Sequence, residues 1–133
     1  AIEVTGLEEF RNRELSQLSG GQRQRVFIAM ALAQNTKILF LDEPTTYLDI
    51  RYQLDILRLV KKLNREYGIT IVMVLHEINQ AIHFSDEVIG LKDGKVLVQG
   101  DPKDVITTES ISELYDVHLN VADIDGQKFV LTV

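Results

Sequence analysis

Three places in this sequence carry residue types able to act on a phosphate. Leu18-Ser19-Gly20-Gly21-Gln22 opens a helical stretch, and a helix start presents unpaired backbone N–H groups with partial positive charge to a nearby anion. Two glycines let an anion approach that backbone closely, and the Ser19 hydroxyl adds a donor. An isolated Ser-Gly-Gly is more often an N-capping serine and a flexible turn. Asp42 and Glu43 follow a short apolar run, where successive side chains diverge. One carboxylate can then face a hydrated Mg²⁺ while its neighbour orients or deprotonates an attacking water, as metal-assisted phosphoryl transfer requires. The same pair also fits two solvated charges closing a strand. His76 ends the next apolar run and can reach the same sheet edge, although a lone histidine there is more often packed or solvated than catalytic. His83 and His118 have no comparable placement and read as surface or packing residues.

The elements that must position these groups are legible from periodicity. After Ser19-Gly20-Gly21 a stretch to about Gln34 reads as a helix with Val26, Ala29, Met30 and Ala33 on one face, and a largely buried helix is expected. Ile38-Leu39-Phe40-Leu41 is a continuous apolar run, which suits a strand covered on both faces. Over 49–67, Tyr52, Ile56, Leu59 and Leu63 recur at amphipathic spacing, and Gly68 is placed as a stop. Residues 69–75 are apolar and β-branched. Strand, helix, strand implies a right-handed parallel crossover. A short helix over 77–84 and strands over 87–91 and 95–99 around Asp93-Gly94 are expected next. Small helices over 102–115 and a hairpin over 117–133 around Asp125-Gly126 complete an α/β chain with an antiparallel extension.

Composition narrows the partners. The 133 residues are 45% hydrophobic, enough for a sizeable core in one main unit. With 20 acidic against 14 basic residues, the net charge of -6 offers no sequence-wide attraction to a nucleic acid backbone or an anionic membrane. No nucleic acid partner is expected. Cysteine is absent, which excludes disulfides and thiolate metal sites and makes the cytoplasm the simplest expectation. No apolar run approaches the roughly 18–20 residues that span a bilayer, so a membrane role is expected only through a partner.

In order along the chain, these motifs resemble those of the ABC ATPase family. Leu18 to Gln22 matches the ABC signature, Ile38 to Glu43 resembles the Walker B motif with its adjacent glutamate, Thr46 to Asp49 resembles the D-loop, and His76 resembles the switch histidine. The resemblance implies a partial P-loop NTPase fold, a mostly parallel sheet flanked by helices with a C-terminal antiparallel extension. Residues 1–18 would end the helical subdomain, 19–100 form the C-terminal part of the ATPase core, and 101–133 the terminal helices and hairpin. It also implies that Asp42 lies on the Mg²⁺ side, Glu43 is the catalytic carboxylate, His76 senses the γ-phosphate and Asp49 belongs to the loop that couples two subunits. Ser19, Gly20, Gly21 and Gln22 would meet ATP held by a second ATPase subunit in a head-to-tail dimer.

One departure accompanies the match: no G-x-x-x-x-G-K-[ST] occurs in the sequence. The P-loop and its strand are expected N-terminal to Ala1 in a longer parent, so the 133 residues alone are expected to bind no nucleotide and, with an apolar strand edge exposed beside the strand ending at His76, either to close the sheet in an altered way or to self-associate. The segment from Glu43 to Leu57, the run Leu75 to Ala81 and the tail from Tyr115 look similar to ATPase subunits of bacterial importers for iron–siderophore and related chelates. That resemblance implies transmembrane permease partners, a substrate-binding protein acting indirectly, and a place on the inner face of the cell membrane. A soluble ABC ATPase of non-transport machinery and a noncatalytic interaction module are the competing readings.

Overall fold

The computed structural model describes residues 1, 2, 4–12, 14 and 20–132. Its contacts divide the chain into two compact units, Ala1–His76 and Glu77–Val133.

The first unit opens with a 3-10 turn, Glu8–Phe10, and contains helix α1 (Gly20–Ala33), strand β1 (Ile38–Asp42), helix α2 (Ile50–Tyr67) and strand β2 (Thr70–Val74). β1 and β2 pair in parallel, with Ile38 opposite Thr70 and Asp42 opposite Val74, so α2 is the crossover between them. Its stop is set by Gly68, which takes φ 66°, a left-handed conformation that glycine adopts without a Cβ clash. The Gly68 N–H donates to the Asn64 carbonyl at 3.2 Å and the Ile69 N–H to that of Leu63 at 3.3 Å. Asn64 Nδ2 then donates to the Ile69 carbonyl at 2.9 Å, fixing the entry into β2. The core beneath is Ile28, Leu39, Ile56, Leu59, Val60, Leu63 and Ile69. Each such side chain contributes about 1.5–3 kcal/mol by leaving water.

Two burial expectations are corrected. α1 buries Gly21, Ile28 and Ala29, while Met30, assigned to the inner face, is exposed together with Phe27. The face that meets α2 is rotated by about one residue, because the approach is set by the glycines at its start. β1 is covered on one face only: Leu39 is buried, whereas Ile38 and Phe40 are exposed, Phe40 at 74%. Val72 and Val74 of β2 are exposed as well. Among the described residues nothing lies over that face.

The second unit contains helix α3 (Ile78–Phe84), strands β3 (Val88–Lys92) and β4 (Lys95–Gly100), short helix α4 (Pro102–Val105), helix α5 (Thr108–Tyr115) and strands β5 (Asn120–Ile124) and β6 (Gln127–Leu131). β3–β4 and β5–β6 are antiparallel pairs, joined by the expected Asp93-Gly94 and Asp125-Gly126 turns, whose four residues all have positive φ. The parallel part of the described sheet structure is thus the β1–β2 pair, and the other two sheets are hairpins. α5 carries a capping box in which Thr107 and Ser110 exchange side-chain bonds to each other's N–H groups. Ile82, Ile106, Ile111 and Val130 form the core of this unit.

Candidate active-site edge

The C-terminal ends of β1 and β2 lie side by side because the strands are parallel and in register. Asp42, the last residue of β1, is exposed. The Glu43 N–H then donates to the Val74 carbonyl at 3.0 Å, which carries the pairing one step past the strand. Glu43 itself has φ 51°, a conformation that costs a non-glycine residue about 1–3 kcal/mol and collects at functional sites. The turn is locked behind it by buried Pro44 and Thr45 and by the Thr46 N–H donating to the Glu43 carbonyl at 3.2 Å.

That geometry brings together two residues 33 positions apart in sequence. His76 Nε2 lies 2.8 Å from Glu43 Oε1, with side-chain exposures of 72% and 38%. An ionised carboxylate can only accept, so Nε2 carries the shared hydrogen. A carboxylate and an imidazole in direct contact, next to a second carboxylate, can orient a water, take its proton and present an N–H to an anion. Asp49 sits at the N-cap of α2 but its side chain makes no capping bond.

The glycines have a structural use of their own. A Cβ on Gly20 would lie 3.1 Å from the Leu48 side chain, and one on Gly21 would lie 3.2 Å from Tyr52 Cδ1. Both positions therefore allow α1 to pack tightly on the start of α2. Gln22 lines a cavity of about 150 Å³ with Gly21, Arg25, Tyr52 and Asp55, a lining that does not include Asp42, Glu43 or His76. Ser19 and Leu18 lie outside the described residues. Mg²⁺ keeps most of its water and takes one or two carboxylates plus phosphate oxygens. A lone exposed Asp42 fits an ion that arrives with its nucleotide, and among the described residues no cluster of three ligating side chains forms a metal site.

Asn79 received no role from the sequence, yet its side chain grips the backbone of β6 at Val130. The available signal was the polar pair Asn79 and His83, four residues apart and so on one face of a short helix.

The parallel crossover carries acidic groups at one strand end and histidine at the next, and the chain is similar to known proteins of one class. The profile of the ABC transporter family matches residues 1–46. By sequence and fold the chain is similar to part of ABC transporter ATP-binding subunits, and it has a partial P-loop NTPase fold. Within that class it is similar to iron–siderophore importer subunits. The petrobactin import ATP-binding protein FpuC of Bacillus anthracis is 50% identical over 121 residues, 91% of this chain and 44% of the relative. The ferric enterobactin transport ATP-binding protein FepC of Escherichia coli (strain K12) is 46% identical over 123 residues, 92% of this chain and 45% of the relative. The solved structure of a metal-chelate type ABC transporter in an inward-facing conformation superposes with a TM-score of 0.86 at 29% identity, covering 97% of this chain and 52% of that one. The chain spans about half the length of the proteins it matches.

Proposed function

We propose that this chain is the hydrolytic half of an ATP-binding subunit that drives an ABC importer, with an iron–siderophore or related chelate as cargo. The contact between Glu43 and His76 at 2.8 Å, beside Asp42 at the end of a parallel strand pair, carries the reading. In phosphoryl transfer the protein contributes chiefly position and charge stabilisation. Glu43 orients the attacking water and takes its proton. His76 would present its Nε2–H to the γ-phosphate, and Asp42 would hold the Mg²⁺ that arrives with ATP, an ion that would supply charge neutralisation. Ser19, Gly20, Gly21 and Gln22 meet nucleotide held by a second subunit, and Asp49 lies in the loop between the two.

Two relatives named for different compounds, petrobactin and ferric enterobactin, support a cargo class and leave its member open. Permease subunits and, through them, a substrate-binding protein are the partners, and the working place is the cytoplasmic face of the membrane. The 133 residues contain no P-loop motif, and most nucleotide affinity comes from that cradle of N–H groups and its lysine, so alone they hydrolyse no ATP. In the full-length subunit, Glu43→Gln should leave ATP binding in place and slow steady-state phosphate release at least about a hundredfold. Turnover near the wild-type rate would remove Glu43 from its role.

A further inference from the structure

The segment that joins β1 to α2 holds two non-glycine residues in the left-handed region, Glu43 at φ 51° and Tyr47 at φ 63°. That region is costly for a residue with a Cβ and persists only where the surroundings over-determine it. Around Glu43 the surroundings do so, through its N–H bond to Val74 and the burial of Pro44 and Thr45. Tyr47 draws no such support from its own side chain, which is 102% exposed. What holds it is the backbone of the next residue.

Leu48 is fixed from three sides. Its N–H donates to the Thr45 carbonyl at 3.4 Å, and its side chain packs on the core of the unit, where a Cβ on Gly20 would meet it at 3.1 Å. Its carbonyl accepts from Gln53 Nε2 at 2.9 Å. That bond is shorter than the backbone bonds that fold the segment, which measure 3.0, 3.2 and 3.4 Å. Gln53 stands in the first turn of α2, where its own N–H donates to the Asp49 carbonyl at 2.9 Å. Asp49, the N-cap, makes no side-chain capping bond, so Gln53 ties the start of the helix back to the residue before the cap. A leucine or methionine at position 53 would suit the helix as well as glutamine does. The amide adds a donor at one fixed place.

We infer that Gln53 is a positioning residue for Glu43. The segment is held at one end by the Val74 carbonyl and at the other by Gln53. Between those points the left-handed turn at Glu43 carries its carboxylate to His76. Without the Gln53 bond Tyr47 can relax to negative φ, and Glu43, joined to it through the Thr46 N–H, can relax with it. Only the role of Glu43 rests on the ATPase reading.

Gln53→Leu removes the donor at similar volume and keeps the backbone bond to Asp49. In the full-length subunit kcat should fall about tenfold to a hundredfold, the cost of slightly misplacing a catalytic group, with KM for ATP unchanged. In a Glu43→Gln background the same substitution should cost nothing further. An equal loss in both backgrounds, or no loss in either, overturns the inference. Should Gln53→Leu not fold, Gln53→Glu goes through the same cycle, since its carboxylate has the same reach but cannot donate to the Leu48 carbonyl. A second readout needs no ATPase activity: Gln53→Leu should shift the amide resonances of Thr46 and Leu48 and the ring resonances of His76, which report the contact with Glu43, leaving His118 unchanged. Unmoved His76 signals would sink the positioning role. Shifted signals in a subunit whose wild type shows no turnover would refute the ATPase reading and keep the positioning of Glu43.

Discussion

At the scale of single residues, the site is a contact that sequence order could only foreshadow. Asp42, Glu43 and His76 were legible as candidates because each closes an apolar run. That Glu43 and His76 touch, and that Glu43 does so from a left-handed backbone, depends on strand register, which a single sequence does not specify. The glycines carry the opposite lesson. Their types pointed to a phosphate, yet the structure also gives each a packing neighbour in Leu48 or Tyr52. Another contact invisible in the sequence is that of Lys92, whose Nζ donates to Asp116 Oδ1 at 2.7 Å and to the Glu113 carbonyl at the end of α5. The hydrogen bond to Asp116 raises the Lys92 pKa above its ordinary 10.5, outweighing the opposing effect of desolvation. A raised lysine pKa stabilises the fold fully below the unfolded value and loses that contribution as pH climbs through the folded one. Lys92→Met should therefore lower the thermal midpoint slightly at neutral pH, by an amount that shrinks with added salt. The gap to wild type should close above pH 10.5. A gap that persists there in thermal scans would assign the loss to packing of the lysine stem.

At the scale of elements, periodicity and turn chemistry located the α-helices and strands of the described residues but not the 3-10 turn Glu8–Phe10, while burial was harder to read. A run such as Ile38 to Leu41 looks the same whether one face or two are covered, since the covering layer comes from elsewhere in the chain. α1 shows the same limit: a 3-and-4 apolar pattern permits several rotations, and contact with α2 through Gly21 and Ile28 chose among them. Turn glycines were the firmer signal, and they permit a graded test. Gly68 has positive φ with nothing near the place of a Cβ, whereas Gly90 lies in β3 where a Cβ would fall 2.6 Å from Val98 Cγ2 and 3.2 Å from Leu114. Gly68→Ala should cost about 1 kcal/mol through backbone strain alone. Gly90→Ala should cost more, about 1–3 kcal/mol for overpacking, and it should loosen the contact of α5 with the hairpin. Denaturant melts of the two variants compare them directly, and a Gly90→Ala loss no greater than that of Gly68→Ala would show that Val98 and Leu114 yield freely.

At the scale of the whole molecule, the uncovered face of β1–β2 decides how the chain behaves in solution. Ile38, Phe40, Val72 and Val74 all stand exposed on it. Phe40 lies opposite Val72 in the register, so the patch is continuous across both strands rather than scattered. Parallel sheets are ordinarily covered on both faces, and contiguous apolar surface of this kind marks a place where other protein belongs. In the proposed full-length subunit that cover comes from the remainder of the ATPase core. In the 133-residue chain another copy can supply it, since two apolar faces gain by leaving water together. Self-association is therefore expected, increasing with concentration and with temperature near ambient as the hydrophobic term strengthens. Phe40→Lys places a charge at the centre of the patch and needs no rearrangement of the core, because the side chain is already 74% exposed. Light scattering across a concentration series should show wild type growing in mass while Phe40→Lys stays monomeric at the same concentrations. A wild type that is strictly monomeric at high concentration would count against this face, and equal association by both proteins would move the contact elsewhere, for example to the exposed Ile89, Leu91 and Val96 of the β3–β4 hairpin.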